Sequence, residues 1–152
     1  MSLKLKLAVP TILAGIFFTS HSIAGEVKNM TVFKTPWCGC CQVWTEAMKK
    51  AGFKVTIKHL DDLSAIRKQA SVTDKFAGCH TAVLGEYVLE GHVPLQAIDK
   101  LLTEKPAIRG LSVPGMPSGS LGMGYDMQAR YAVFSFKHDP KIAPEIFYRV
   151  GS

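Results

Sequence analysis

Cys38, Cys40 and Cys41 stand directly after Trp37 and are three of the four cysteines in the chain. Thiols at that spacing make a soft-donor site, and the chemistry they point to is redox exchange or the binding of a thiophilic metal. A dithiol oxidoreductase needs one sulfur to attack and one to resolve, and a third within reach competes at each exchange step. Three adjacent thiolates suit a metal better. They also crowd too closely for an ordinary stapling framework, although four cysteines in an exported chain could form two bridges.

Soft donors select Cu(I), with zinc and iron–sulfur clusters as competitors. Zinc sites usually combine paired Cys-x-x-Cys units or spaced histidines, and these cysteines do not pair that way. Adjacent Cys40 and Cys41 cannot easily aim both sulfurs at one tetrahedral ion, but they can bridge neighbouring Cu(I) ions, so the site could hold more than one copper. The fourth cysteine, Cys79, is followed by His80 and Thr81. Met116, Met123 and Met127 lie in or just beyond a Gly/Pro-rich stretch, and thioether is a Cu(I) ligand that needs no deprotonation. Met116, flanked by Pro114 and Pro117, is the best placed of the three, Met123 the next. His92 either turns inward or caps a helix start, and His59 and His138 read as surface residues.

These groups need elements to position them. Val27 to Thr35 is β-prone and closed by Pro36; Cys41 to Ala51 carries Val43, Trp44, Ala47, Met48 and Ala51 at helical spacing before Gly52. The cysteines therefore sit at a strand-to-helix turn, where backbone N–H groups and the helix dipole favour thiolate. Phe53 to Leu60 predicts a second strand, and Asp61-Asp62 leads into a helix through Leu63, Ala65, Ile66 and Ala70. Thr81 to Leu84 and Tyr87 to Glu90 predict a hairpin around Gly85-Glu86. Pro94 is expected at the first position of a helix with Leu95, Ile98, Leu101 and Leu102 on one face. Gly110 to Gly124 reads as a long ordered loop or a wrap over the domain, followed by strands over Ala132 to Phe136 and around Ile146 to Tyr148.

The order βαβαββα is that of an α/β, thioredoxin-like fold, followed by a Gly/Pro/Met-rich C-terminal extension from about residue 106 to 152. Trp37-Cys38-Gly39-Cys40-Cys41 can be laid on the W-C-G-P-C redox motif of thioredoxin-like proteins, with Cys38 and Cys41 at the redox pair and Cys40 in place of proline. In such a fold the segment before the third strand packs against that motif, which would bring Cys79 and His80 to the cysteine turn. The alternative makes Cys79 a small buried hydrophobe and His80 a structural residue.

Residues 1–24 have the layout of a secretory signal peptide: Lys4 and Lys6, an apolar run from Leu7 to Phe18, then Ser22-Ile23-Ala24. Export to the periplasm is expected, with no membrane anchor after cleavage near Gly25. Roughly 128 residues then remain, enough for a single domain over 25–152. The formal charge of +6 includes the two leader lysines, and the remaining basic residues are scattered, which disfavours nucleic acid as a partner.

Cys38-Gly39-Cys40-Cys41, Cys79-His80-Thr81-Ala82, Glu90-Gly91-His92-Val93-Pro94 and the run from Gly110 to Ser120 resemble, in order, the motifs of the CopG-type copper-resistance family. The resemblance spans nearly the whole mature chain. It implies an exported, thioredoxin-like protein with a C-terminal extension that handles Cu(I), and its metal-binding cysteines map onto Cys38, Cys40, Cys41 and Cys79. Leu121 departs from the proline common in relatives, and Trp37 makes the first motif more thioredoxin-like than is usual. The expected function is Cu(I) binding in copper resistance, by sequestration, by delivery to an efflux or chaperone partner, or by conversion between Cu(I) and Cu(II), which would make the protein a copper oxidoreductase. The alternatives are a thiol-disulfide oxidoreductase using Cys38 and Cys41, and a metal-free interaction module.

Overall fold

A computed structural model describes residues 28–151; the expected signal peptide lies outside the described residues. Strand β1 (Asn29–Lys34) runs into the cysteine turn, and helix α1 (Gly39–Lys50) leaves it. Strand β2 (Lys54–His59), helix α2 (Ser64–Gln69), and the hairpin β3 (His80–Leu84) and β4 (Tyr87–Glu90) follow, then helix α3 (Leu95–Glu104). Strands β5 (Gly110–Ser112), β6 (Tyr131–Phe136) and β7 (Glu145–Val150) complete the chain.

All seven strands form one sheet in the order β2-β1-β3-β4-β5-β6-β7. β1 pairs parallel with β2 and antiparallel with β3, so Lys34 stands opposite His59 on one side and His80 on the other. That register brings the start of β3, next to Cys79, to the end of β1, next to Cys38. Element order matches the sequence expectation through α3. Two details are corrected. Pro94 is the N-cap of α3 rather than its first residue, because its extended backbone (ψ 154°) still belongs to the entering loop. Residues 110–112, expected within an irregular loop, form β5 and pair parallel with β4. The C-terminal strands thus continue the sheet, and β5 is buried along its length.

The core lies between the sheet and the helices. Met30 and Val32 of β1 meet Trp44 and Met48 of α1, with Leu89, Ile98, Leu101 and Leu111 completing the same cluster. Val43 departs from the expected apolar face of α1: it is exposed, while Cys41 and Thr45 are buried with Trp44 and Met48. Trp44 is anchored by its indole N–H, which donates to the Val93 carbonyl at 2.9 Å. This bond ties α1 to the segment that carries His92. Among the described residues no helix is long and apolar enough to cross a membrane.

Candidate metal centre

The cysteine turn is built by local bonds. Cys38 N–H donates to the Thr35 carbonyl at 3.3 Å, and Cys41 N–H donates to Cys38 Sγ at 3.3 Å, so Cys38 caps α1, whose first turn holds Cys40 and Cys41. A sulfur at an N-cap accepts from an otherwise unpaired helix N–H and gains from the helix dipole as thiolate. Cys38 and Cys41 are joined by a disulfide, their Cα atoms 5.4 Å apart. Cys40 and Cys79 are free thiols, and Cys40 Sγ lies 3.6 Å from Cys38 Sγ.

Cys79 reaches this turn from the other side. The Cys41 sulfur lies 3.5 Å from the Cys79 carbonyl oxygen, and the four sulfurs fall within 4.8 Å of one another. A second group, Cys79, His80 and His92, meets the same limit and shares Cys79 with the first. His92 is fully buried. Its Nδ1 donates to the Leu121 carbonyl at 2.6 Å, which leaves Nε2 as the lone-pair nitrogen, 2.8 Å from Cys79 Sγ. This is the arrangement by which a backbone carbonyl sets the tautomer of a metal-ligating histidine.

His80 is also fully buried, with its ring 4.4 Å from Trp44 and 5.3 Å from His92. Its Nδ1 lies 3.5 Å from Cys79 Sγ, while Nε2 has no hydrogen-bond partner among the described residues. Burial, then the neighbouring His92, Lys34 and Arg67, pull its pKa down to about 3. Burial lowers His92 as well, offset by the Leu121 carbonyl. Both rings are thus neutral near pH 7 and keep a lone pair. The Cys79 thiol is pushed up to about 12, by burial first and by Cys40 second. Without an ion, Cys79 holds its proton and can donate it to His92 Nε2.

The Gly/Pro-rich loop folds back over the turn. Gly122, at φ +98°, leaves no space for a side chain: a Cβ there would stand 2.8 Å from the Cys40 carbonyl oxygen and 3.1 Å from His92 Nδ1. Met123 follows it and is partly buried, whereas Met116 and Met127 are exposed. Gly115 N–H donates to the Ala77 carbonyl at 3.1 Å, so Met116 sits next to the segment leading to Cys79. His59 and His138 are exposed, as their positions implied.

The sequence reading missed Lys34, Arg67 and Glu90. Lys34 is buried at 2 % exposure, and its ammonium donates to the Thr35 carbonyl at 3.0 Å, the same oxygen that receives Cys38 N–H. A cation is thereby held at the base of the cysteine turn. Strand alternation with Met30 and Val32 carried that signal, since Lys34 falls on their inward face. No comparable pattern marks Glu90, which ends an entirely buried strand.

A family model described as a protein of unknown function, DUF411, matches residues 76–123, the span that holds Cys79, His80, His92, Met116 and the covering loop. No curated protein matches the chain. Two solved structures do, both named copper resistance protein CopG. Form 2 has a TM-score of 0.75 and 32% identity, over 82% of this chain and 99% of its own. Form 1 has the same score and identity, over 84% of this chain and 100% of its own. With nearly the whole of those structures aligned and the cysteine-rich site assembled from the expected motifs, the chain belongs to the CopG copper-resistance family.

Proposed function

We propose that the protein binds Cu(I) as cargo or substrate through the thiolates of Cys38, Cys40, Cys41 and Cys79, in a thioredoxin-like domain exported to the periplasm. The observation that carries this reading is the convergence of four sulfurs within 4.8 Å from two distant parts of the chain, in a family whose solved members are named for copper resistance. Soft sulfur donors prefer Cu(I) among the available metals. Sulfurs of neighbouring residues favour bridging, and hence more than one ion. His92 Nε2 and His80 add neutral donors beside Cys79, and Met123 follows Gly122, the loop residue packed against the Cys40 carbonyl and His92.

The Cys38–Cys41 disulfide favours a second reading, thiol-disulfide exchange with Cys38 as nucleophile and Cys41 as resolver. The two readings compete for the same reduced thiols, and only the disulfide form is barred from using all four sulfurs as ligands. The disulfide withdraws two of the four thiolates, and two electrons with two protons return them as thiols. Copper resistance would then proceed by sequestration, by delivery, or by a change of copper oxidation state in the reduced protein.

Anaerobic Cu(I) titration of the full chain, fully reduced or with the disulfide intact, separates the readings. The reduced form is expected to take up more copper, with loss of all four free thiols on titration. A reduced form that takes up no Cu(I) but reduces a model disulfide overturns the first reading in favour of the second.

A further inference from the structure

Two charged side chains outside the thiol cluster hold the segment that carries Cys79. Glu90 is fully buried, and its carboxylate is shared among three donors. Oε1 accepts from Gly78 N–H at 2.9 Å and from Arg67 Nε at 3.0 Å, and Oε2 accepts from the Thr81 hydroxyl at 2.5 Å. Arg67, on α2, also donates from Nη2 to the Gly78 carbonyl at 2.5 Å. The residue before Cys79 is thus gripped at both its N–H and its carbonyl, and Thr81 beyond His80 is tied to the same carboxylate.

The backbone closes around this pair. Gly91 N–H donates to the His80 carbonyl at 2.8 Å, and a Cβ on Gly78 would collide with Gly91 Cα. One short stretch, Glu90-Gly91-His92, therefore supplies the carboxylate that holds the Cys79 segment, the close contact beside it and the imidazole that faces its sulfur. A buried ion pair is weak evidence for stability, because apolar residues of the same shape often serve as well. What apolar residues could not do here is accept from Gly78 and Thr81 and thereby fix where Cys79 points.

We propose that Arg67 and Glu90 form a positioning clamp that holds Cys79 against His92 and toward Cys38, Cys40 and Cys41, and so sets the Cu(I) affinity of the site. Neither residue is a ligand; both act through Cys79. The proposal rests on the copper reading above, and its test is arranged so that the two can fail separately.

Arg67→Met suits the experiment, because the Arg67 side chain is 23% exposed and the substitution keeps an unbranched stem. Cu(I) affinity is measured anaerobically on the full chain by competition with a chromogenic chelator, once with Cys79 present and once in Cys79→Ser. Loss of an outer support is expected to weaken binding about tenfold in the first background and to leave the second unchanged. Equal loss in both backgrounds, or none in the first, overturns the clamp. Glu90→Gln keeps the volume and one acceptor oxygen, and is read against the same two outcomes if Arg67→Met does not fold. If the parent protein takes up no Cu(I), the copper reading fails alone. The clamp is then judged by alkylation of Cys79 with iodoacetamide in a chain carrying Cys38→Ser, Cys40→Ser and Cys41→Ser. About tenfold faster alkylation on adding Arg67→Met supports a positioning role of the kind outer-shell partners play, and an unchanged rate overturns it.

Discussion

His92 Nε2 lies 2.8 Å from Cys79 Sγ, although thirteen positions separate the two residues in the chain. The Leu121 carbonyl on the far side of the ring accepts a hydrogen bond from Nδ1–H, so the nitrogen facing the sulfur is the basic one. Cys79, His92 and the covering loop form one continuous chain of contacts. Each can be perturbed separately.

Cys79→Ser preserves shape and leaves a hydroxyl that can still donate to His92 Nε2. Thermal unfolding is expected to change by less than about 1 kcal/mol, while Cu(I) affinity falls because a hard oxygen replaces a thiolate. Calorimetry and chelator competition on the same samples check this. Destabilisation with copper affinity intact would make Cys79 a core residue.

Cys40→Pro restores the W-C-G-P-C pattern. Cys40 is the second residue of α1, in the first turn, where proline is tolerated because the N–H has no helical partner. The fold and the Cys38–Cys41 bridge should persist, and Cu(I) capacity should drop. Metal analysis after gel filtration checks this; unchanged stoichiometry argues against a cluster that uses Cys40.

Acid sensitivity should centre on His80. Its pKa falls from 6.5 to about 3 on folding, through burial first, so between those values the unfolded chain binds the proton and the folded chain does not. Stability is therefore unaffected above about pH 6.5 and declines as pH falls toward about 3. His92 shifts in the same direction, and Glu90, raised by burial, in the opposite one. The informative quantity is the difference between parent and His80→Gln. Urea midpoints of the copper-free, reduced protein from pH 7 to 4 should fall less steeply in the variant.

Gly122→Ala should act on the loop and the site together. The glycine has φ +98° and its Cβ position stands 2.8 Å from the Cys40 carbonyl oxygen, so alanine adds both backbone strain and a steric clash. A loss of roughly 1–3 kcal/mol is expected, together with faster air oxidation of bound Cu(I) if the loop shields it. Chemical denaturation and bleaching of the copper–thiolate absorption in air check the two effects. A destabilised variant with an unchanged oxidation rate would leave the loop a structural cover alone.

Short-range pattern was sufficient for the cysteine turn. Pro36 closes β1 and the 3.6-residue spacing of Trp44 and Met48 starts the inward face of α1, so Cys38, Cys40 and Cys41 had to fall at a helix start wherever the rest of the chain went. The order of elements through α3 was legible for the same reason, since each carries its own periodicity and its own breaker. Tertiary structure decided the rest. Cys79 meets the turn because β3 pairs antiparallel with β1, and Gly110–Ser112 become β5 by pairing with β4 on one side and β6 on the other. Three residues are too few for a periodic signal, and glycine at their head reads locally as a loop. Glu90 and Arg67 were silent because a charged residue in a strand or on a short helix reads as solvent-facing until its partner is known, and that partner is set by packing across the chain. Whether Cys38 and Cys41 form a bridge or stand as separate thiols depends on electrons supplied from outside, while their distance from each other and from Cys79 is a property of the fold.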